Sequence, residues 1–93
     1  MAFVIINPFI VFPDYDIVIP KMVQNKLKIH DEKDVNVYSI IVVPEDFSKI
    51  TANLLGPIII NNKEMLGKQV ILDDNRYKTK HFIFQQNKQD RSE

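Results

Sequence analysis

Residues 51–77 read TANLLGPIIINNKEMLGKQVILDDNRY, and this stretch decides the fold class of the 93-residue chain. Its short apolar runs are interrupted by turn residues at Gly56-Pro57, Asn61-Asn62 and Gly67. Apolar runs separated by such residues are typical of short β-strands joined by tight turns. The stretch contains no catalytic constellation. We therefore expect a small β-sheet or barrel that works through its surface.

The strands predicted in and around this stretch cover residues 50–55, 57–61 and 69–72, with a hairpin turn over residues 61–67. The strongest strand signal lies upstream, at residues 35–43 (VNVYSIIVV), which are dense in β-branched side chains. The first half of that strand alternates polar and apolar residues, and the second half is apolar throughout. This pattern indicates a strand that begins at a solvated face and ends between two layers.

Only one helix is predicted, over residues 21–29, where the preceding Pro20 suits the first helical turn. Parallel βαβ units would need a helix between most strands, so a mainly β, antiparallel architecture with one short helix is favoured. The chain is then a single domain over residues 1–84, followed by a polar, flexible tail over residues 85–93. The remaining extended segments are predicted at residues 2–7, 9–12 and 15–19 and within residues 76–84.

Composition excludes several classes of function. Hydrophobic residues make up 45% of the chain and charged residues 26%, which is ordinary for a soluble globular domain. Twelve basic residues balance 12 acidic ones, so the basic excess of a typical nucleic-acid-binding protein is missing. The chain has no cysteine, which excludes disulfides and thiolate chemistry and fits a reducing cytoplasm. No apolar run is long enough to span a bilayer.

Several polar side chains have two possible roles. His30 and His81 are far apart in the sequence and each lies among charged residues, so solvated histidines are favoured over a metal site or a general base. Asn53 and Gln69 lie within or beside apolar runs. Each is either an outward-facing surface residue or an amide that cross-links buried backbone. The sequence leaves that second choice open.

Two aspartate pairs stand out, Asp14 with Asp16 and Asp73 with Asp74, and glycosidase-type chemistry would need two carboxylates that face each other across a cleft. Opposed carboxylates across a cleft are not indicated by either pair. Carboxylates that accept backbone N–H groups in turns are favoured for both. With no nucleophile elbow and only two glycines, covalent catalysis and a phosphate-binding loop are also unsupported.

A basic and aromatic cluster near the end of the domain allows a different interpretation. Arg76, Tyr77, Lys78, Lys80 and His81 combine groups that contact RNA through phosphates and stacking. Nearby aspartates and the neutral total charge favour a solvated strand face instead. A small RNA-binding β module is therefore kept as the alternative function.

Three segments in this order resemble the family of bacterial flagellar assembly factors called FliW: INPFIVFPDYDIVIP (residues 6–20), VVPEDFSKITANLLGPIIIN (residues 42–61) and GKQVILDDNRYKTKH (residues 67–81). The resemblance runs from about Val4 to Phe84 and implies a compact, β-barrel-like fold. Members normally carry further sequence upstream, so we expect this chain to lack N-terminal strands of the domain. An exposed sheet edge and an uncovered apolar face would follow, with reduced stability and a tendency to self-associate.

The resemblance also implies a regulatory binding protein rather than an enzyme. Family members bind unassembled flagellin in the cytoplasm and also bind CsrA, a small RNA-binding translational repressor. Binding of CsrA relieves repression of flagellin mRNA, and accumulating flagellin displaces CsrA from the factor. This partner switch needs no cofactor, because it follows from mass action between two complexes. No membrane, small-molecule substrate or direct nucleic-acid contact is expected.

The candidates for partner contact are the polar and aromatic positions that match the family and are expected to be exposed. Tyrosine and arginine are over-represented in binding hot spots. Aspartates are suited to pair with the basic RNA-binding surface of CsrA. The candidate contact residues are Asp14, Tyr15, Asn53, Asp73, Asp74, Arg76 and Tyr77.

Overall fold

The computed structural model describes residues 2–84 and builds them around an antiparallel sheet. The order of the strands is β5-β4-β2-β3-β6, and β1 pairs with β2 beside this path. The mainly β, antiparallel class predicted from the sequence is confirmed. The predicted polar tail, residues 85–93, lies outside the described residues. The strands are β1 (Ala2–Ile6), β2 (Val35–Val43), β3 (Thr51–Ala52), β4 (Ile58–Asn61), β5 (Leu66–Gln69) and β6 (His81–Phe82).

The nine-residue strand β2 is central to the sheet, because it pairs with β1, β3 and β4. Its second half pairs with both β1 and β3, so that Ile41 lies opposite Val4 and Ala52. Its first half pairs with β4. If β3 continued in register, Leu55 would reach Tyr38, but Ile58 occupies that position. Residues 53–57 therefore form a bulge, and the strand predicted at residues 50–55 is reduced to β3.

Two short helices precede the long strand, whereas the sequence predicted one. Residues 9–12 are not extended as predicted, because α1 spans Pro8–Val11. The Asn7 side chain accepts a hydrogen bond from the Phe9 N–H at 2.9 Å, and Pro8 occupies the first helical turn. A polar N-cap followed by proline starts a helix even in an apolar sequence.

The helix α2, Lys21–Lys26, ends earlier than predicted. Lys28 adopts a left-handed conformation with φ 56°, and the Ile29 N–H donates to the Gln24 carbonyl at 2.8 Å. This is a Schellman motif, in which a left-handed residue closes the last turn of a helix. Asn61, 2% exposed, fixes this turn by donating to the carbonyls of Leu27 and Lys28 at 2.8 and 3.0 Å. The end of α2 is thereby attached to the β4–β5 hairpin.

Two other predicted strands are irregular or displaced. Residues 15–19 do not form the predicted strand; they alternate in burial but are not part of the sheet. The predicted hairpin over residues 61–67 is confirmed, yet its second strand is Leu66–Gln69 rather than residues 69–72. The N–H groups of Val70 and Leu72 donate instead to carbonyls of the bulge, those of Pro57 and Leu55. The bulge removed the regular partner that a strand at residues 69–72 would need.

The core lies between one face of the sheet and the segments that pack on it, which include α2 and the irregular residues after α1 and after β5. Ile41, Ala52 and Ile59 come from the strands and are at most 3% exposed. Within residues 2–84, no helix is long and apolar enough to cross a membrane. The other buried hydrophobic side chains are Tyr15, Val23, Leu27, Leu54, Val70 and Leu72.

Candidate functional site

Two loops that are distant in the sequence meet beside the core and bring four of the seven predicted contact residues together. We call Tyr15, Asp16, Asp74, Arg76 and Tyr77 the Tyr–Arg cluster. The first two follow α1, and the other three lie in the irregular segment between β5 and β6. The Asp16 N–H donates to the Tyr77 hydroxyl oxygen at 2.8 Å, which fixes one loop to the other.

Arg76 organises the polar side of the cluster. Its guanidinium donates to both oxygens of Asp74, with Nη2–Oδ2 at 2.7 Å and Nε–Oδ1 at 3.1 Å. The same Nη2 lies 3.3 Å from the Asp16 backbone carbonyl and 3.6 Å from its Oδ2. The guanidinium carbon also lies 5.0 Å from the centroid of the Tyr77 ring, within cation–π range. Arg76 is therefore held in one orientation although its side chain is 57% exposed.

The short spacing of Asp74 and Arg76 explains why this pair forms locally. Asp74 Oδ1 accepts the Arg76 backbone N–H at 2.9 Å, an Asx turn that turns the arginine back toward the aspartate. Hydrogen bonds from the Arg76 side chain, and then from its backbone N–H, hold the pKa of Asp74 below its usual value. The pKa of Arg76 is raised in turn by its hydrogen bonds to Asp74. Both groups remain charged throughout the physiological pH range.

Tyr15 belongs to the core, so its predicted exposure is wrong. Its side chain is 5% exposed and its hydroxyl donates to the Leu54 carbonyl at 2.6 Å. The ring meets Tyr77 edge-on at 4.8 Å between centroids. Burial, with smaller contributions from Tyr77 and Asp74, raises the pKa of Tyr15. A neutral, buried tyrosine of this kind supports the loops and offers no contact to a partner.

The Asn53 side-chain amide cross-links backbone, which is one of the two roles that the sequence left open for it. Its Oδ1 accepts the Gly56 N–H at 2.8 Å, and its carbonyl accepts the Ser39 hydroxyl at 2.7 Å. Gln69 acts in the same way, donating from Nε2 to the Gly56 carbonyl at 3.0 Å. Both amides hold the bulge in place. The structure places the other two candidates, Asp14 and Asp73, on the exposed surface.

His81 is a structural residue that sequence reasoning took for a solvated one. Its Nε2 accepts the Lys78 N–H at 2.8 Å, and the Lys78 carbonyl accepts the N–H groups of Leu54 and Leu55 at 3.2 Å. Burial, and to a lesser extent the charge of Lys78, lowers the pKa of His81. His30, by contrast, is exposed as predicted. The sequence did not predict this role, although the His81 ring accepts from a backbone N–H only three positions away.

An open groove lies next to the Tyr–Arg cluster and was not predicted. It has a volume of about 650 Å³, and Phe9, Ile17 and Val37 are among the side chains that line its apolar part. Asp31 and Glu32 lie at its edge. The groove adjoins the cluster directly, since the rings of Phe9 and Tyr15 are 5.5 Å apart. The alternating residues 15–19 were the available signal, but the sequence did not show what they face.

The charged and aromatic groups of the Tyr–Arg cluster are largely paired with one another. Among residues 2–84, no group of three or more histidine, cysteine or acidic side chains could hold a metal ion. The charge of Arg76 is already balanced by Asp74 and Asp16, and the Tyr77 ring is packed against Tyr15. These contacts partly neutralise the basic and aromatic cluster that the sequence suggested, although Arg76 and Tyr77 remain partly exposed. The cluster is thus an ion-paired polar patch beside a groove that is lined by both polar and apolar side chains.

Comparison with known proteins identifies the family. The family model described as FliW protein matches residues 1–83. The flagellar assembly factor FliW of Alkaliphilus metalliredigens is 50% identical over 86 residues, which cover 92% of this chain and 53% of that protein. The protein of the same name from Anoxybacillus flavithermus is 49% identical over 84 residues, covering 90% of this chain and 58% of that protein.

The fold gives the same result. The crystal structure of a flagellar assembly factor FliW superimposes with a TM-score of 0.86 at 46% identity, covering 90% of this chain and 60% of that chain. The chain thus spans a little over half the length of the relatives that it matches. Because the match includes the loops that build the Tyr–Arg cluster as well as the sheet, the chain belongs to the FliW family.

Proposed function

We propose that this chain acts without catalysis as a flagellar assembly factor in the cytoplasm. It binds unassembled flagellin and the translational repressor CsrA in competition, so that free factor removes CsrA from flagellin mRNA. The observation that carries the proposal is the match to the FliW family over residues 1–83, together with 50% and 49% sequence identity to the two family members compared above. No cofactor takes part, because the switch depends only on the relative concentrations and affinities of the two partners.

The geometry of the Tyr–Arg cluster supports a role in protein binding. An arginine that is already fixed by two carboxylates loses little conformational entropy when a partner contacts it. Arg76 and Tyr77 are partly exposed and belong to the residue types that dominate interface energetics. Tyr15 and Asn53 contribute indirectly, by holding the loops that carry these residues.

The acidic residues around the cluster support electrostatic attraction to a basic partner. Asp14 and Asp73 are exposed, and the Asp16 side chain is 71% exposed. Carboxylates at the rim of an interface mainly increase the association rate and make it dependent on salt. The adjoining groove supplies apolar surface for the same contact. We assign Asp14, Asp73, Asp74, Arg76 and Tyr77 to the contact surface.

The test measures binding of purified CsrA and purified flagellin by titration calorimetry and by stopped flow at several salt concentrations. Asp73→Asn removes an exposed carboxylate that no ion pair within residues 2–84 uses. We expect it to slow CsrA association several-fold at low salt and to flatten the salt dependence. Glu64→Gln, which removes one charge from the β4–β5 turn, is the matched control. Equal association rates for both variants and the parent would contradict the assignment of Asp73.

The partner switch and the RNA-binding alternative are separated by a mobility-shift assay with flagellin mRNA. If the proposal is correct, the chain dissociates CsrA–RNA complexes but does not change the mobility of RNA by itself. Added flagellin then restores the CsrA–RNA complexes. Direct retardation of RNA that weakens steeply with salt would favour the alternative instead. Failure of the chain to bind either CsrA or flagellin would refute the proposed function.

A further inference from the structure

The imidazole of His81 closes a tight turn next to the Tyr–Arg cluster, and we call residues 77–81 the His81 turn. The Nε2 atom lies 2.8 Å from the Lys78 backbone nitrogen and accepts its N–H, so the neutral ring carries its own proton on Nδ1. A protonated imidazole has an N–H on both nitrogens and can no longer accept a hydrogen bond. The bond that closes the turn therefore exists only while His81 is neutral.

The backbone of Lys78 connects the His81 turn to two parts of the molecule. Its N–H, which His81 accepts, belongs to the peptide group that joins Tyr77 to Lys78. Its carbonyl accepts the N–H groups of Leu54 and Leu55 at 3.2 Å, which attaches the turn to the bulge. Loss of the bond to His81 would leave the turn attached to the bulge while it frees the peptide group next to Tyr77.

Tyr77 is the residue of the Tyr–Arg cluster that the His81 turn positions. Its ring meets Tyr15 edge-on, and the Arg76 guanidinium lies 5.0 Å from the ring centroid. Its hydroxyl accepts the Asp16 N–H at 2.8 Å, and its own N–H donates to the Asp74 carbonyl at 3.3 Å. All four contacts depend on where the Tyr77 backbone lies. A change in the adjoining peptide group therefore alters the geometry of the whole cluster.

The elements packed against the His81 ring favour its neutral form. Phe12, after α1, lies edge-on with the ring centroids 6.2 Å apart, and Ala52 of β3 lies opposite in the sheet, so neither element brings a titratable side chain to the ring. The segment between β5 and β6 brings the Tyr77 phenol, also at 6.2 Å. The charged side chains of that segment are Asp73, Asp74, Arg76, Lys78 and Lys80. Burial, and then the charge of Lys78, lowers the pKa of His81, so the ring accepts the Lys78 N–H at neutral pH and gains its proton in acid.

We propose that the His81 turn is a proton-sensitive switch: a proton on His81 releases the Lys78 N–H, opens the turn and weakens binding of a protein partner at the Tyr–Arg cluster. In the protonated state two N–H donors face each other, so the ring has to rotate away or the turn has to open. Either movement reaches Tyr77 through the peptide group that it shares with Lys78. The effect on partner binding rests on the proposed function, whereas the opening of the turn does not.

The first test needs no partner and uses NMR of the isotope-labelled chain at about pH 7.5 and about pH 5, on either side of the ordinary histidine pKa of about 6.5. At the higher pH the ring nitrogens of His81 should show the Nδ1–H tautomer. At the lower pH, protection of the Lys78 amide from hydrogen exchange, relative to the intrinsic rate at each pH, should fall several-fold. His81→Gln, which keeps an uncharged acceptor, should retain its protection at both pH values. An Nε2–H tautomer, or protection of Lys78 that does not change when His81 is protonated, would overturn the proposal.

The second test measures binding of purified CsrA and purified flagellin by titration calorimetry at the same two pH values. The affinity of the parent chain for at least one partner should fall several-fold at the lower pH, and that of His81→Gln should fall much less. His30→Gln, which removes the other histidine of the chain, is the matched control and should behave like the parent. Titration of groups on the partner affects all three proteins equally, so the comparison isolates His81. Equal pH dependence for the parent and His81→Gln would refute the link to binding. A chain that binds neither partner at either pH would refute the proposed function together with that link, whereas the NMR measurements decide separately whether a proton opens the turn.

Discussion

Removing one hydroxyl from Tyr15 tests whether this residue supports the site or contacts a partner. The hydroxyl donates to the Leu54 carbonyl at 2.6 Å, and the side chain is 5% exposed. Tyr15→Phe keeps the ring, its edge contact with Tyr77 and the volume of the core. What changes is a single buried hydrogen bond, whose acceptor loses this donor.

The expected cost follows from that loss. A buried acceptor that loses its donor costs about 1–3 kcal/mol, and part of this cost is returned because the tyrosine hydroxyl no longer has to be removed from water. We expect the free energy of unfolding to fall by about 1–2 kcal/mol. In a domain of this size each kcal/mol lowers the melting temperature by about 4–8 °C, so a decrease of roughly 5–15 °C should be measured.

Tyr38→Phe is the matched control, because the Tyr38 hydroxyl takes part in an exposed bond with Asn36 at 3.2 Å. Its loss should change the free energy of unfolding by less than about 0.5 kcal/mol. Urea titrations followed by circular dichroism give both values. Under conditions where Tyr15→Phe remains folded, its affinity for CsrA and flagellin should equal that of the parent. If the two variants were equally stable, the buried bond would contribute nothing and our account of Tyr15 would be wrong.

Three further predictions follow from single side chains. Asn61→Ala removes the donor of two hydrogen bonds to the end of α2 and the acceptor for the N–H groups of Lys63 and Glu64. The free energy of unfolding in urea should fall by about 2–4 kcal/mol. A decrease below about 1 kcal/mol would contradict the role of Asn61 in attaching α2 to the β4–β5 hairpin. Met65 has φ 57° and is 82% exposed, so Met65→Gly should stabilise the domain by about 0.5–1 kcal/mol in the same assay, and a loss of stability would exclude strain at this turn. Burial lowers the pKa of His81, so the folded chain binds a proton less readily than the unfolded one. The melting temperature should therefore be highest above about pH 6.5 and fall as the pH is lowered below that value. His81→Gln should reduce this dependence of the melting temperature on pH, and an unchanged dependence would disprove the prediction.

The family resemblance gave the function class correctly at the level of a flagellar assembly factor family, but contact residues could be chosen only by residue type. Tyr15 and Tyr77 are the same residue type in similar loops. The structure makes one a core residue, with its hydroxyl on Leu54, and leaves the other partly exposed. Asp16 was not among the candidates, because nothing near it in the sequence announces Arg76, which is 60 positions further along.

Local chemistry in the sequence was enough for the strand β2 and the β4–β5 turn. Both depend on neighbours within a few residues: the branched side chains of residues 35–43, and the turn-forming residues between Asn61 and Gly67. The signal for helix α1 is equally local, since Asn7-Pro8 is a helix start, but the apolar run that follows also predicts an extended segment. A short apolar run fits either element until its first residue is recognised as a cap.

Tertiary structure alone decided the bulge at residues 53–57, the displacement of β5 and the position of the Tyr–Arg cluster. The bulge exists because the register that β3 starts on β2 is not the one that β4 continues, and such a mismatch involves residues more than ten positions apart. Once the bulge is present, it takes up the N–H groups of Val70 and Leu72 and receives the Tyr15 hydroxyl. The sequence therefore determined β2 and the β4–β5 turn, because those preferences are local. Which loops meet, and so which side chains a partner can reach, was determined by long-range pairing and packing.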